Sequence, residues 1–129
     1  MIVEVVGAVI RDAAGRLLTV RKRGTVRFML PGGKREAGED DLAALAREVR
    51  EELGVEIVRA RLLGRFEAAA ANEVGATVRS CAYIVEVSGD ISIQAEIEEL
   101  LWIDPAALPD VPIAPLLMGQ VLPALVGGP

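Results

Sequence analysis

Three glutamates on one stretch carry whatever chemistry this chain performs: Glu48, Glu51 and Glu52, preceded directly by Arg47. At about 100° per residue they fall together on one arc of a helix, where like charges repel. Arg47 stands four residues before Glu51 and offsets part of that repulsion. One cation does not balance three anions. A patch of hard oxygen ligands suits Mg²⁺ or Mn²⁺, which turns repulsion into coordination. The alternative is a solvated acidic face, the usual fate of such patterns. The 129 residues include no histidine, which excludes Ser-His-Asp and Cys-His mechanisms and any histidine metal site.

The elements that must position these groups lie on either side of them. From Asp40 to Leu53 the apolar residues Leu42, Leu45, Ala46, Val49 and Leu53 recur at steps of three and four, which predicts an amphipathic helix with this stripe in the core. Asp40 and Asp41 suit its positive N-terminus. Upstream, Pro31-Gly32-Gly33 ends an apolar strand in a turn whose backbone can come close to a ligand. Gly38 breaks the chain again ahead of Glu39.

Written out, the stretch is Gly33, five residues, Glu39, seven residues, Arg47-Glu48-Val49, one residue, Glu51-Glu52, one residue, Gly54-Val55. This resembles the Nudix box, the signature of hydrolases acting on nucleoside diphosphates linked to another moiety, and every fixed position of that pattern is filled. The resemblance implies a divalent cation, Mg²⁺ or alternatively Mn²⁺, held by Glu48, Glu51 and Glu52, with the loop at Gly33 packed on the metal site. It implies that Arg47 orients the glutamates and that Glu39 supports them; members of the resembled family differ over which glutamate takes the proton from the attacking water, some using a later loop, and Glu52 is the expected base here. It also implies an α/β fold, an α/β/α sandwich with a mixed β-sheet between the box helix and a C-terminal helix, as one Nudix domain over residues 1–129. The order of predicted elements, strands, helix, strands, helix, supports that fold independently.

Around the box, Met1 to Ile10 and Arg16 to Arg23 read as the two strands of a hairpin turning at Asp12 and Gly15. The basic residues at its end, Arg21, Lys22 and Arg23, and then Arg27, are expected to face the turn at Gly32 and Gly33 and cradle phosphates. The plainer reading is a strand end kept soluble by charge. Phe28 either walls the pocket or packs. Val55 to Ala70 and Ala76 to Val87 read as two longer strands joined through ANEVG. Cys81, in the second, is expected to be inert core in a reducing compartment. The segment AEIEELLWI holds Glu96, Glu98 and Glu99; the resemblance makes one of them a late ligand or base, and a short solvated turn explains the same letters. Asp104-Pro105 is expected to cap a short helical turn. Leu116 to Leu125 is expected to form a closing helix, apolar enough to be either buried or a homodimer contact.

The length suits a single domain, and the net charge of −5 argues against binding long nucleic acid by phosphate neutralisation. Small nucleotides remain open, since they arrive with their metal. Glu4 interrupts the first apolar run, so no secretory signal is expected. Pro112, Pro115 and Pro123 break any membrane-spanning helix in the uncharged tail from Val111 onward. The expectation is a cytoplasmic enzyme acting on a small-molecule nucleotide or diphosphate, with no membrane partner.

By default the substrate is a nucleoside triphosphate, cleaved to the monophosphate and pyrophosphate. The proline and tyrosine that mark the ADP-ribose and diadenosine polyphosphate branches of the resembled family are absent from Ala69 to Glu73. The one asparagine, Asn72, precedes the late segment where the oxidised-guanine branch carries its base-reading asparagine. Phe28, Phe66, Tyr83 and Trp102 are the residues left for stacking on a base. Two other classes stay open: a nucleotide sensor of the same fold without catalysis, and a hydrolase of a non-nucleotide diphosphate.

Overall fold

The β-branched runs of the sequence form strands that divide between two sheets in the computed structural model, which describes residues 1–70 and 73–127. The strands are β1 (Ile2–Val9), β2 (Leu17–Lys22), β3 (Gly32–Gly33), β4 (Glu56–Ala69), β5 (Thr77–Ser88) and β6 (Ile97–Ile103). One sheet has the order β3-β1-β5-β4, with β1 parallel to β5 and the other pairs antiparallel. The second is an antiparallel ribbon of β2 and β6. The expected hairpin of the first two strands is therefore confined to its turn. Leu18 N–H donates to Ile10 O at 2.9 Å and Arg11 bridges Leu17, after which the strands part. Both edges of β1 are taken by β3 and β5, so β2 has no edge to join and pairs with β6 instead.

The mixed sheet is covered on both faces. Val6, Ala8, Ile10 and Val85 pack with Ala44, Leu45, Val49 and Leu53 of helix α1 (Asp41–Leu53). On the other face, Val9 and Ala82 pack with Leu117, Val121 and Leu122 of the C-terminal helical segment. That segment is a π-helical turn (Leu117–Val121) running into α2 (Leu122–Gly127). The α/β/α sandwich follows from strand alternation, which sends successive side chains to opposite faces. Among the described residues, no helix is long and apolar enough to cross a membrane.

Helix α1 is well terminated. The Asp40 side chain accepts from Ala43 N–H at 2.8 Å, and Gly54 closes the helix in the left-handed region with φ 70°, its N–H donating to Arg50 O at 3.0 Å. Its buried stripe is turned from the expected one. Leu42 is 47% exposed, while Ala44 and the carboxylate of Glu52 go inside.

Three further expectations are corrected. The segment from Ile97 to Ile103 is a full strand, not a solvated turn, and its Glu98 and Glu99 lie on the ribbon opposite β2. Asp104 closes a tight turn by accepting from Ala106 N–H at 2.9 Å, without a helix. Cys81 is half-buried beside Asp41 and Arg65, and burial followed by the Asp41 carboxylate pushes its thiol pKa up. Asn72 lies outside the described residues.

Gly54 offers a direct test of the helix terminus. A Cβ there would run into Gln94 Nε2, and φ 70° is costly for any side chain. Gly54→Ala is expected to lose about 1–2 kcal/mol, read as a Tm several degrees lower in thermal melts. An unchanged Tm would show that the terminus tolerates a side chain.

Candidate active site

Two strand residues and two helical carboxylates build the centre of the site. Gly32 pairs with Gly7 of β1, and Gly33 pairs with Val6. Gly32 has φ 148°, and a Cβ on it would collide with Val6 O, so no other residue fits. A Cβ on Gly33 would lie 2.7 Å from the carboxyl carbon of Glu48. The missing side chains let the strand backbone lie directly against two carboxylates of α1. Gly32 N–H donates to Glu52 Oε1 at 3.2 Å.

Glu52 is 2% exposed, and its second oxygen, Oε2, is buried without a hydrogen-bond partner among the described residues. Burial first, and then the Glu48 carboxylate beside it, push its pKa up to about 9. The Lys22 ammonium and the Gly32 N–H pull the other way and do not prevail. The pair therefore holds a proton at neutral pH, in a place where a divalent cation would serve the same purpose. The orphaned oxygen, the all-oxygen donor set and the glycine backbone pressed on Glu48 fit Mg²⁺ or Mn²⁺.

Arg47 organises the rest. Its guanidinium donates to Glu39 at 2.8 and 3.0 Å, to Glu48 Oε1 at 2.9 Å, to Glu51 Oε2 at 3.3 Å and to Lys34 O at 3.0 Å. The hydrogen bonds from Arg47 hold Glu39 below the usual carboxylate range. Glu51 is separated from the other two glutamates by burial. Its side chain is 53% exposed on the flank of Arg47. Among the described residues no three carboxylates converge into a ready metal cage.

A cleft of about 430 Å³ opens beside Gly32, Gly33 and Glu48, between the mixed sheet and the C-terminal helical segment. Aliphatic residues such as Val3, Val5, Leu30, Val78, Leu116 and Leu117 line most of it, and Lys22, Lys34, Arg35 and Glu96 add charge. Of the basic cluster at the end of β2, only Lys22 reaches this cleft, where it pairs with Glu96 at 3.3 Å. Strand alternation points Arg21 away, to Glu99 at 3.1 Å and to Thr25 O at 2.7 Å. Arg23 pairs with Glu98 at 3.3 Å. Arg27 is half-buried and is not among the cleft's lining residues.

Phe28 is 5% exposed and bridges Ile113, so it packs rather than walls the cleft. Phe66, Tyr83 and Trp102 likewise pack against the two cores. Of the late glutamates, Glu96 faces the cleft, and Glu98 and Glu99 do not line it. Lys34 had a signal in its place directly after Gly33, and Lys22 in the basic strand end. Ser80, 3% exposed on the cleft floor, had none.

Two consequences can be measured. Glu52 has a folded-state pKa raised above its ordinary 4.5, so the native state keeps a proton that the unfolded chain releases above that value, and the carboxyl costs stability increasingly as the pH climbs towards 9. In metal-free thermal melts, Glu52→Gln is expected to match the wild type near pH 4 and exceed it by a margin that widens up to about pH 9. A constant margin would contradict the buried proton. Arg47→Lys keeps the charge but loses the forked hydrogen bonds, and is expected to cost about 2 kcal/mol in chemical denaturation; full stability would show the web of bonds to be dispensable.

Comparison with known proteins places this geometry in a family. The NUDIX domain model matches residues 1–125. A Mycobacterium tuberculosis (strain ATCC 25618 / H37Rv) protein provisionally named 8-oxo-dGTP diphosphatase 2 is 38% identical over 95 residues, 74% of this chain and 66% of that protein. An 8-oxo-dGTP diphosphatase of Haemophilus influenzae is 39% identical over 70 residues, 51% of this chain and 52% of its own. The matches thus span about half to two thirds of the length of these curated relatives. Among solved structures, the E. coli ORF135 protein superposes with TM-score 0.79 at 27% identity, covering 98% of this chain and 89% of that one. The MutT NUDIX hydrolase from Burkholderia pseudomallei superposes with TM-score 0.78 at 27% identity, covering 92% and 95%. The box, the fold and the matched span agree: the chain belongs to the NUDIX family.

Proposed function

We propose that the chain is a divalent-metal-dependent pyrophosphohydrolase, by default one that cleaves a nucleoside triphosphate to the monophosphate and pyrophosphate. One observation carries the reading: two carboxylates, the buried Glu52 and Glu48 beside it, set against the Gly32–Gly33 backbone at the end of a cleft large enough for a small molecule. Relatives named as 8-oxo-dGTP diphosphatases and the MutT structural neighbour support a nucleotide substrate.

In this reading the phosphates lie at the glycine turn, where Lys22 and Lys34 supply positive charge. Glu48 and Glu52, with Glu51 on the neighbouring flank beside Arg47, would hold Mg²⁺ or Mn²⁺, which would supply neutralising charge for the phosphate oxygens and a more acidic water. Glu52 takes the proton of the attacking water. The water oxygen bonds to phosphorus, and the bridging P–O bond breaks to release pyrophosphate. Gly32 N–H holds the Glu52 carboxylate in place through Oε1. Glu96, across the cleft and bonded to Lys22, is the late carboxylate best placed to assist. Cleavage of a small soluble substrate by a chain with one free cysteine, Cys81, fits the cytoplasm. The aliphatic lining also favours a second reading, a diphosphate ester of an apolar group.

A release assay for phosphate and pyrophosphate with Mg²⁺ and Mn²⁺ tests this across normal and oxidised nucleoside triphosphates, nucleotide sugars, dinucleotides and prenyl diphosphates. Turnover of triphosphates is expected, abolished by EDTA and lowered at least about 100-fold by Glu52→Gln. Turnover of prenyl diphosphates alone would move the assignment to the second reading. Nucleotide binding without any turnover would make the protein a sensor.

A further inference from the structure

Most of the cleft floor cannot hydrogen-bond a substrate. Among the described residues that line it, Ser80 is the only one with an uncharged polar side chain. It sits in the middle of β5, opposite Val5 of β1, and is 3% exposed. A hydroxyl on an otherwise aliphatic floor is costly unless something uses it.

Gly7 supplies a second observation. It interrupts the β-branched run of β1 on the same face of the sheet, although its φ is one that any residue adopts. Glycine in a strand interior weakens it and marks a close approach. The Cβ that Gly7 lacks would stand 3.5 Å from Ser80 Oγ and 3.2 Å from Leu30 Cδ1. Its absence leaves room directly over the Ser80 hydroxyl.

The position along the sheet is equally specific. Gly33 pairs with Val6 on β1, and Ser80 pairs with Val5 on the far side of the same strand. Two strand spacings, roughly 10 Å, separate the glycine turn from the hydroxyl. A sugar spans such a gap when the phosphates are at the turn.

We propose that Ser80 is the specificity-determining residue of the cleft, its hydroxyl hydrogen-bonding the edge of the nucleobase in the space left open by Gly7. This rests on the nucleotide reading above. The hydroxyl can donate or accept, so discrimination comes from where the aliphatic walls let a polar base edge meet it, a base that turns an apolar edge to Ser80 leaving the hydroxyl unpaired.

Metal-free calorimetry with the four common nucleoside monophosphates and with ribose 5-phosphate isolates this contact from catalysis. The wild type is expected to bind one base more tightly than the others and than the base-free sugar. Ser80→Ala is expected to lose about tenfold for the favoured nucleotide, with ribose 5-phosphate binding unchanged and the ligand-free Tm the same or higher. Gly7→Ala, which places a methyl over the hydroxyl while the Leu30 tip gives way, is expected to lose the same preference. Equal losses for nucleotide and base-free sugar, an unaltered ranking of bases in Ser80→Ala, or a wild type without base preference would each overturn the proposal. Base discrimination that depends on Ser80 in a protein without turnover would support it while removing the hydrolase reading.

Discussion

A carboxylate sealed inside a protein must find a proton, a cation or a set of donors, and the structure around Glu52 is arranged by that requirement. One oxygen is met by the Gly32 N–H, and the other is met by no described residue. Glu48 stands close enough to add repulsion to the cost of burial. The result is a pair that binds a proton tightly and that a hard divalent cation suits in its place.

The fold holds this unfavourable centre by spending well-made contacts elsewhere. Ala44, Leu45, Val49 and Leu53 anchor α1 in the core, so the helix cannot turn Glu52 out to water without exposing them. Arg47 gathers Glu39, Glu48 and Glu51 on the adjacent flank. The C-terminal end of the helix is gripped by the chain that follows β5, where Ser92 N–H donates to Leu53 O at 3.0 Å and Gln94 N–H to Glu52 O at 2.9 Å. That same chain delivers Glu96 to the cleft, with Ala95 in the left-handed region at φ 56°. Non-glycine residues adopt that conformation only where the surroundings over-determine it.

Local signals in the sequence were strong where one element decides the outcome. The periodicity from Asp40 to Leu53 bounded α1, and the two long runs after it became β4 and β5. Strand pairing was not legible, because which edge of β1 is free depends on residues distant in sequence. The helical arc put Glu48, Glu51 and Glu52 together, whereas the packed helix separates Glu51 from the other two. That difference comes from how far α1 is rolled against the sheet, which Leu42 at the surface records. The basic strand end misled in a similar way. Alternation sends Lys22 to the cleft and Arg21 to the opposite side; β6 supplies Glu99 for Arg21, and the chain just before β6 supplies Glu96 for Lys22. Ser80 had no signal, since a lone serine in a strand acquires meaning only from the aliphatic floor around it.

Proton release on metal binding tests the central claim most directly. Calorimetric titration of the wild type with Mg²⁺ near pH 7.5, in buffers of different ionisation enthalpy, should show about one proton released per site, because coordination requires the carboxylate form. The same titration of Glu52→Gln should lose that buffer dependence. Mg²⁺ binding with a heat independent of the buffer would contradict the account, since the Glu48–Glu52 pair would then hold no proton for the cation to displace.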